Sequence, residues 1–201
     1  MGKNKKIVVY GGAFNPPTLA HYNLAISVLK SVKADKLIFM PVGDYYNKKD
    51  LINSHHRTSM LEILCESNSK LSVSYIEVNS DVNLNTIETL DILKNEYSND
   101  EIYFLMGSDN LKQLSKWTRW TEILERHNLL VMCRDNDSVE DIISISLELA
   151  PYRNKIVEVN NISKLFISST MVRNAIKTNT STNNMISSDI HDYITKHSLY
   201  I

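Results

Sequence analysis

The stretch Ile7-Val8-Val9-Tyr10-Gly11-Gly12-Ala13-Phe14-Asn15-Pro16-Pro17-Thr18-Leu19-Ala20-His21 limits what this chain can fold into more than any other. A short apolar run reads as a buried strand. Two glycines then free the backbone, and two prolines delay its return to regular structure. Thr18 is placed to cap the helix that follows. Strand, glycine-bearing loop and helix start together present backbone N–H groups to an anion. His21 falls in the first turn of that helix, where such an anion would sit.

Strands and helices alternate beyond this point. Strands are expected at 6–10, 36–40, 71–78, 101–106, 128–133, 155–159 and 164–167. Helices are expected at 19–30, 56–67, from about 86 to 97, at 109–115 and 118–127, from Ser138 to about 149, from Ser168 to about 177, and from Ser188 through 197. Residues 178–187, rich in Thr, Asn and Ser, read as a loop. The alternation predicts an α/β fold, Rossmann-like and doubly wound, with a mainly parallel sheet and helices on both faces. No repeat or long linker interrupts it. One domain is expected over 1–201, with a helical portion from about 168 to 201 packed on it. Ligands of such sheets bind beyond the C-terminal strand ends. That directs attention to the loops 11–18, 41–55, 107–118 and 168–173.

Composition excludes several classes. A formal charge of −1 in 201 residues lacks the basic excess of a general nucleic-acid binder. The apolar run after the basic start is too short for a signal peptide or a membrane span. Cys65 and Cys133 each lie in an apolar segment and show no CxxC or metal-ligand spacing, so buried, reduced thiols in a cytoplasmic protein are expected.

The first loop has neither GxGxxG nor GxxxxGK(S/T) spacing, which argues against a dinucleotide-binding dehydrogenase and a P-loop enzyme. What remains is Thr18 and His21, three residues apart at a helix start. A second constellation is Ile167-Ser168-Ser169-Thr170-Met171-Val172-Arg173. Small hydroxyl residues open a helix there, and an Arg early in a helix opposes the dipole unless an anion is near. A third is Pro41 to Arg57, with Lys48, Lys49 and Arg57. A fourth is Trp117 with Trp120. Trp117 is free to stack on a planar base, whereas Trp120 has core spacing with Ile123 and Leu124.

These stretches resemble one family in order. GGAFNPPTLAH is similar to the nucleotidyltransferase signature (H/T)xGH, with Ala20 in place of the usual Gly. ISSTMVR is similar to that superfamily's ISSTxxR signature. With Gly107-Ser108-Asp109 they resemble the nicotinate- and nicotinamide-mononucleotide adenylyltransferases. The resemblance extends to Pro41-Val42-Gly43-Asp44-Tyr45, His56-Arg57, Glu88-Thr89-Leu90, Lys116-Trp117 and the closing His197-Ser198-Leu199-Tyr200.

The resemblance implies transfer of AMP from ATP to a pyridine mononucleotide, with release of pyrophosphate and with Mg²⁺ arriving on ATP. It implies that His21 stabilises charge on the α-phosphate, with Thr18 and Arg173 beside it. Gly12, Ala13, Phe14, Gly107, Asp109, Ser168 and Ser169 would bind ATP. Asn15, Lys48, Thr86 and Trp117 would bind the mononucleotide. No side chain is expected to form a dedicated metal site, and neither nucleic acid nor a membrane is an expected partner. A homo-oligomer, the choice between nicotinate and nicotinamide, another phosphorylated acceptor such as phosphopantetheine, and a nucleotide sensor without turnover all stay open at this point.

Overall fold

The computed structural model describes residues 4–46, 50–133, 137–160 and 166–201. Six strands form one sheet: β1 (Lys6–Gly12), β2 (Lys36–Pro41), β3 (Leu71–Val73), β4 (Glu101–Gly107), β5 (Asn128–Met132) and β6 (Ile156–Glu158). Every pairing is parallel, and the spatial order is β3-β2-β1-β4-β5-β6. The order reverses direction between β1 and β4, where Val9 faces Phe104 across the register. A crevice therefore opens beyond Gly12 and Gly107, at the ends of the two central strands.

Among the described residues, eight α-helices accompany the sheet: α1 (Leu19–Ser31), α2 (Ser54–Cys65), α3 (Thr86–Glu96), α4 (Ser108–Leu111), α5 (Trp120–Arg126), α6 (Val139–Ser144), α7 (Ser169–Lys177) and α8 (Ser188–Lys196). Strand side chains alternate between two cores. Ile7, Val9, Ile38 and Phe104 pack with α3, α5 and α6. Val8, Leu37, Phe39 and Leu105 pack with α1, α2, α7 and α8. The doubly wound expectation is met, with the sheet wholly parallel.

Two expected elements are shorter than their patterns. The strand expected at 71–78 stops at Val73, and turns occupy 76–79. There the carbonyl of Glu77 approaches Gly43 so closely that a Cβ on Gly43 would lie 2.3 Å from it. The chain has left the sheet to make that contact. The helix from Ser138 ends at Ser144, and a 3₁₀ segment follows at Ala150–Lys155. Ile145 and Leu147 are left exposed, so their apolar spacing never meets the core. Of the strand expected at 164–167, residues 164 and 165 lie outside the described residues, and 166–167 are not in a strand.

The cysteines are free and half-buried. Burial pushes the Cys65 thiol up to about 12 and the Cys133 thiol up to about 11, so both are inert thiols at neutral pH. Among the described residues, no helix is long and apolar enough to cross a membrane.

His127, after α5, is 2% exposed, and neither ring nitrogen has a hydrogen-bond partner among the described residues. Asp91 Oδ1 is 3.8 Å from Nε2. Burial holds the imidazole below its usual 6.5, against the pull of Asp91. Below pH 6.5 the unfolded chain therefore binds a proton that the folded chain resists, and stability falls with the pH. His127→Leu is expected to flatten the acid limb of a plot of Tm against pH below 6.5. Parallel limbs for the two proteins would assign the acid loss to other groups.

Candidate functional site

Thr18 is the N-cap of α1, as its place in the sequence suggests. Its hydroxyl accepts from the His21 backbone N–H at 3.4 Å, and its own N–H donates to His21 Nδ1 at 2.9 Å. This is a capping box with histidine at the third helical position. A backbone N–H can only donate, so Nδ1 holds a lone pair and the neutral ring carries its proton on Nε2. The box thus fixes both the orientation and the tautomer of His21. The Phe14 ring closes the arrangement, edge-on to His21 at 5.2 Å and to Tyr10 at 5.3 Å. A Cβ on Gly12 would lie 3.0 Å from that ring, which would have to give by a few tenths of an ångström to admit it.

Two expectations change at this helix. Thr18 is completely buried, so its hydroxyl orients His21 rather than reaching a ligand. The helix start is also less open to an anion than the sequence implies. Leu19 N–H is taken by the Met185 carbonyl at 2.9 Å, and His21 N–H by Thr18.

Helix α7 docks onto the same loop from 150 residues away in sequence. Ser169 Oγ donates to the Pro16 carbonyl at 2.7 Å, and Arg173 Nη1 donates to the Asn15 carbonyl at 2.9 Å. Arg173 Nη2 donates to Thr170 Oγ1 at 3.2 Å. Arg173 has no carboxylate partner among the described residues. Ser168 caps α7 by accepting from Met171 N–H at 3.2 Å, which leaves its O–H able to donate. The two motifs are brought together by direct contact.

Asn15 is 5% exposed, with its amide engaged at both ends. Nδ2 donates to the Asp50 carbonyl at 2.7 Å, and Oδ1 accepts from the Tyr200 hydroxyl at 2.8 Å. Both ends of the amide thus hold the loop in place.

Arg57, grouped above with Lys48 and Lys49, is the largest fully buried side chain among the described residues. Its guanidinium donates to three backbone carbonyls: Ile52 at 2.9 Å, Ala13 at 3.1 Å and Val42 at 2.7 Å. Asp44 lies 3.4 Å from Nη2 and also accepts from Ser54 N–H at 2.7 Å. Arg57 thus ties the loop after β1 to the loop after β2. Sequence reasoning missed this role, and also those of Asp44 and Tyr200. Each depends on which groups it meets in the folded chain; the residue pattern marked Arg57 only as one of several cations, and the family resemblance alone marked Asp44 and Tyr200. Nearby, burial pushes the Glu77 carboxyl up to about 7, against a hydrogen bond from Thr89 at 3.0 Å.

Gly107 ends β4 and caps α4, with Asp109 exposed in its first turn. Thr86 is the first residue of α3, part-exposed after the Asn85 cap. Trp117 is half-buried and edge-on to Phe104 at 6.3 Å. Trp120 packs on the core beside Tyr152, as its spacing suggests. Lys48 and Lys49 lie outside the described residues. Among the described residues, no three His, Cys, Asp or Glu side chains gather as a metal site.

A parallel sheet with this order and a two-motif crevice at its switch point define a nucleotidyltransferase class of site, and residues 9–175 match the cytidylyltransferase-like family, to which the chain belongs. It is 32% identical over 197 residues to a probable nicotinate-nucleotide adenylyltransferase of Carboxydothermus hydrogenoformans, covering 97% of this chain and 98% of that one. It is 29% identical over 198 residues to the nicotinate-nucleotide adenylyltransferase of Bacillus subtilis, covering 98% of each. The solved structure of Plasmodium falciparum nicotinic acid mononucleotide adenylyltransferase complexed with NaAD superposes with a TM-score of 0.79 at 25% identity, over 98% of both chains. Within the cytidylyltransferase-like family, the chain stands with the nicotinate-nucleotide adenylyltransferases.

Proposed function

We propose that this chain transfers AMP from ATP to nicotinate mononucleotide and releases pyrophosphate, a step of NAD biosynthesis. The observation that carries the reading is the docking of α7 on the first loop, where Ser169 and Arg173 grip Pro16 and Asn15. Two sequence motifs that would each bind phosphate become one crevice at the switch point.

The 5′-phosphate of the mononucleotide is already an anion, so it attacks the α-phosphorus without a general base. The Pα–O bond to the β-phosphate breaks, and pyrophosphate carries away the electron pair. Catalysis then consists of alignment and charge stabilisation. His21 Nε2–H donates to the α-phosphate oxygen, on which charge builds. Arg173 and the first-turn N–H groups of Ser169 and Thr170 hold the β- and γ-phosphates. Gly12, Ala13 and Phe14 shape the ATP loop, which Asn15 and Thr18 brace from behind. Gly107 and Asp109 face the adenosine, Thr86 and Trp117 face the pyridine ring, and Lys48 approaches the mononucleotide phosphate. Mg²⁺ is proposed to enter on ATP, where it would neutralise phosphate charge.

A pyrophosphate-release assay with ATP and each pyridine mononucleotide tests this. Release with nicotinate mononucleotide at least about tenfold faster than with the nicotinamide form, a gap of one 1.4 kcal/mol step, is expected. Release with neither, alongside tight ATP binding, would mark a sensor instead.

A further inference from the structure

We propose that Tyr200 is a positioning residue for adenylyl transfer: from the far end of the fold, its phenol sets the Asn15 amide and so holds the first loop in register with His21. The inference rests on the reading of that loop as the ATP site.

Tyr200 and Asn15 are 185 residues apart, yet the phenol donates to Asn15 Oδ1 at 2.8 Å. At the other end of the same amide, Nδ2 donates to the Asp50 carbonyl. An amide gripped by a donor at its oxygen and an acceptor at its nitrogen has one orientation. Asn15 in turn offers its backbone carbonyl to Arg173 and lies three residues before Thr18, which sets His21. The phenol thus touches the outermost link of a chain that ends at His21.

The tail is built to deliver it. Leu199 is buried against the α1–α2 side of the sheet, and its N–H returns to the Ile194 carbonyl at 3.0 Å. Helix α8 is fixed on α2, where His56 Nδ1 meets the Tyr193 hydroxyl at 3.0 Å. Ser198 and Tyr200 take left-handed φ values of 49° and 65°. Non-glycine residues rarely hold that conformation, and here it turns the chain so that Tyr200 lies back over the loop. Burial pushes the phenol up, outweighing the guanidiniums of Arg173 and Arg57 that face it, so it stays a donor. Leu199, Ile194 and Ile190 anchor the tail without it.

Tyr200→Phe keeps the ring and removes only the hydroxyl. A loss in kcat of about tenfold is expected, with the KM for ATP changed less than about twofold, because alignment is lost and not binding. In an Asn15→Ser background the same change is expected to cost nothing further. An activity-independent readout is hydrogen exchange. The amides of Gly12 to Asn15 are expected to exchange faster in Tyr200→Phe, while those of β4 and β5 hold their rates. Unchanged loop exchange would overturn the proposal, as would an equal kcat loss in both backgrounds or a rise in KM alone. Absence of pyrophosphate release by the unaltered protein would count against the function, while the exchange result would still decide the role of Tyr200.

Discussion

His21→Ala is expected to lower kcat by about 10²–10³-fold, the cost of one donor aimed at developing charge. ATP affinity is expected to stay within about threefold, because Arg173 and the α7 N-terminus hold the β- and γ-phosphates separately. The expectation follows from the capping box. Thr18 N–H holds Nδ1 at 2.9 Å, so the ring meets its ligand through Nε2–H in the neutral form. A neutral donor contributes little to a ground-state phosphate already neutralised by its cation, and more when charge builds. His21→Gln, whose amide can donate from a similar distance, is expected to recover part of the loss. Single-turnover rates with separately measured ATP affinity check this. An alanine variant with full turnover, or one whose entire defect is in ATP affinity, would remove His21 from the transition state.

The second large effect is on the fold itself. Arg57→Ala is expected to cost about 3–5 kcal/mol of stability, within the range for breaking a buried charged network. Three carbonyls, those of Ile52, Ala13 and Val42, would lose a donor together, and the Asp44 carboxylate would lose its cation. Arg57→Lys is expected to recover little, because an ammonium cannot reproduce a fork that serves several carbonyls at once. Denaturant unfolding measures both. A loss below about 1 kcal/mol, the size expected at an ordinary surface position, would mean the two loops are held by other contacts.

The fold was legible because its signals are local. Val8 and Val9 lie in a run that only a buried strand accommodates, and Thr18, Asn85 and Ser138 are caps that act within four residues. Where the signal was not local, the reading failed. The alternation through Val78 says nothing of Gly43, yet the approach of Gly43 and Glu77 takes the chain out of the sheet after Val73. The site divides in the same way. His21, Ser169 and Arg173 announce themselves by residue type at a helix start. The tasks of Thr18, Asn15 and Arg57 depend on which groups they meet. A hydroxyl, an amide and a guanidinium near a phosphate loop all read as ligands of phosphate. Only their partners show that they hold the loop from behind.

Adenylyl transfer itself is tested most directly by following the label. With ATP labelled at the α-phosphorus and nicotinate mononucleotide as acceptor, the label is expected in the dinucleotide, and with γ-labelled ATP it is expected in pyrophosphate. Alpha label released as free AMP, or gamma label passed to the mononucleotide, would contradict attack at the phosphorus beside His21.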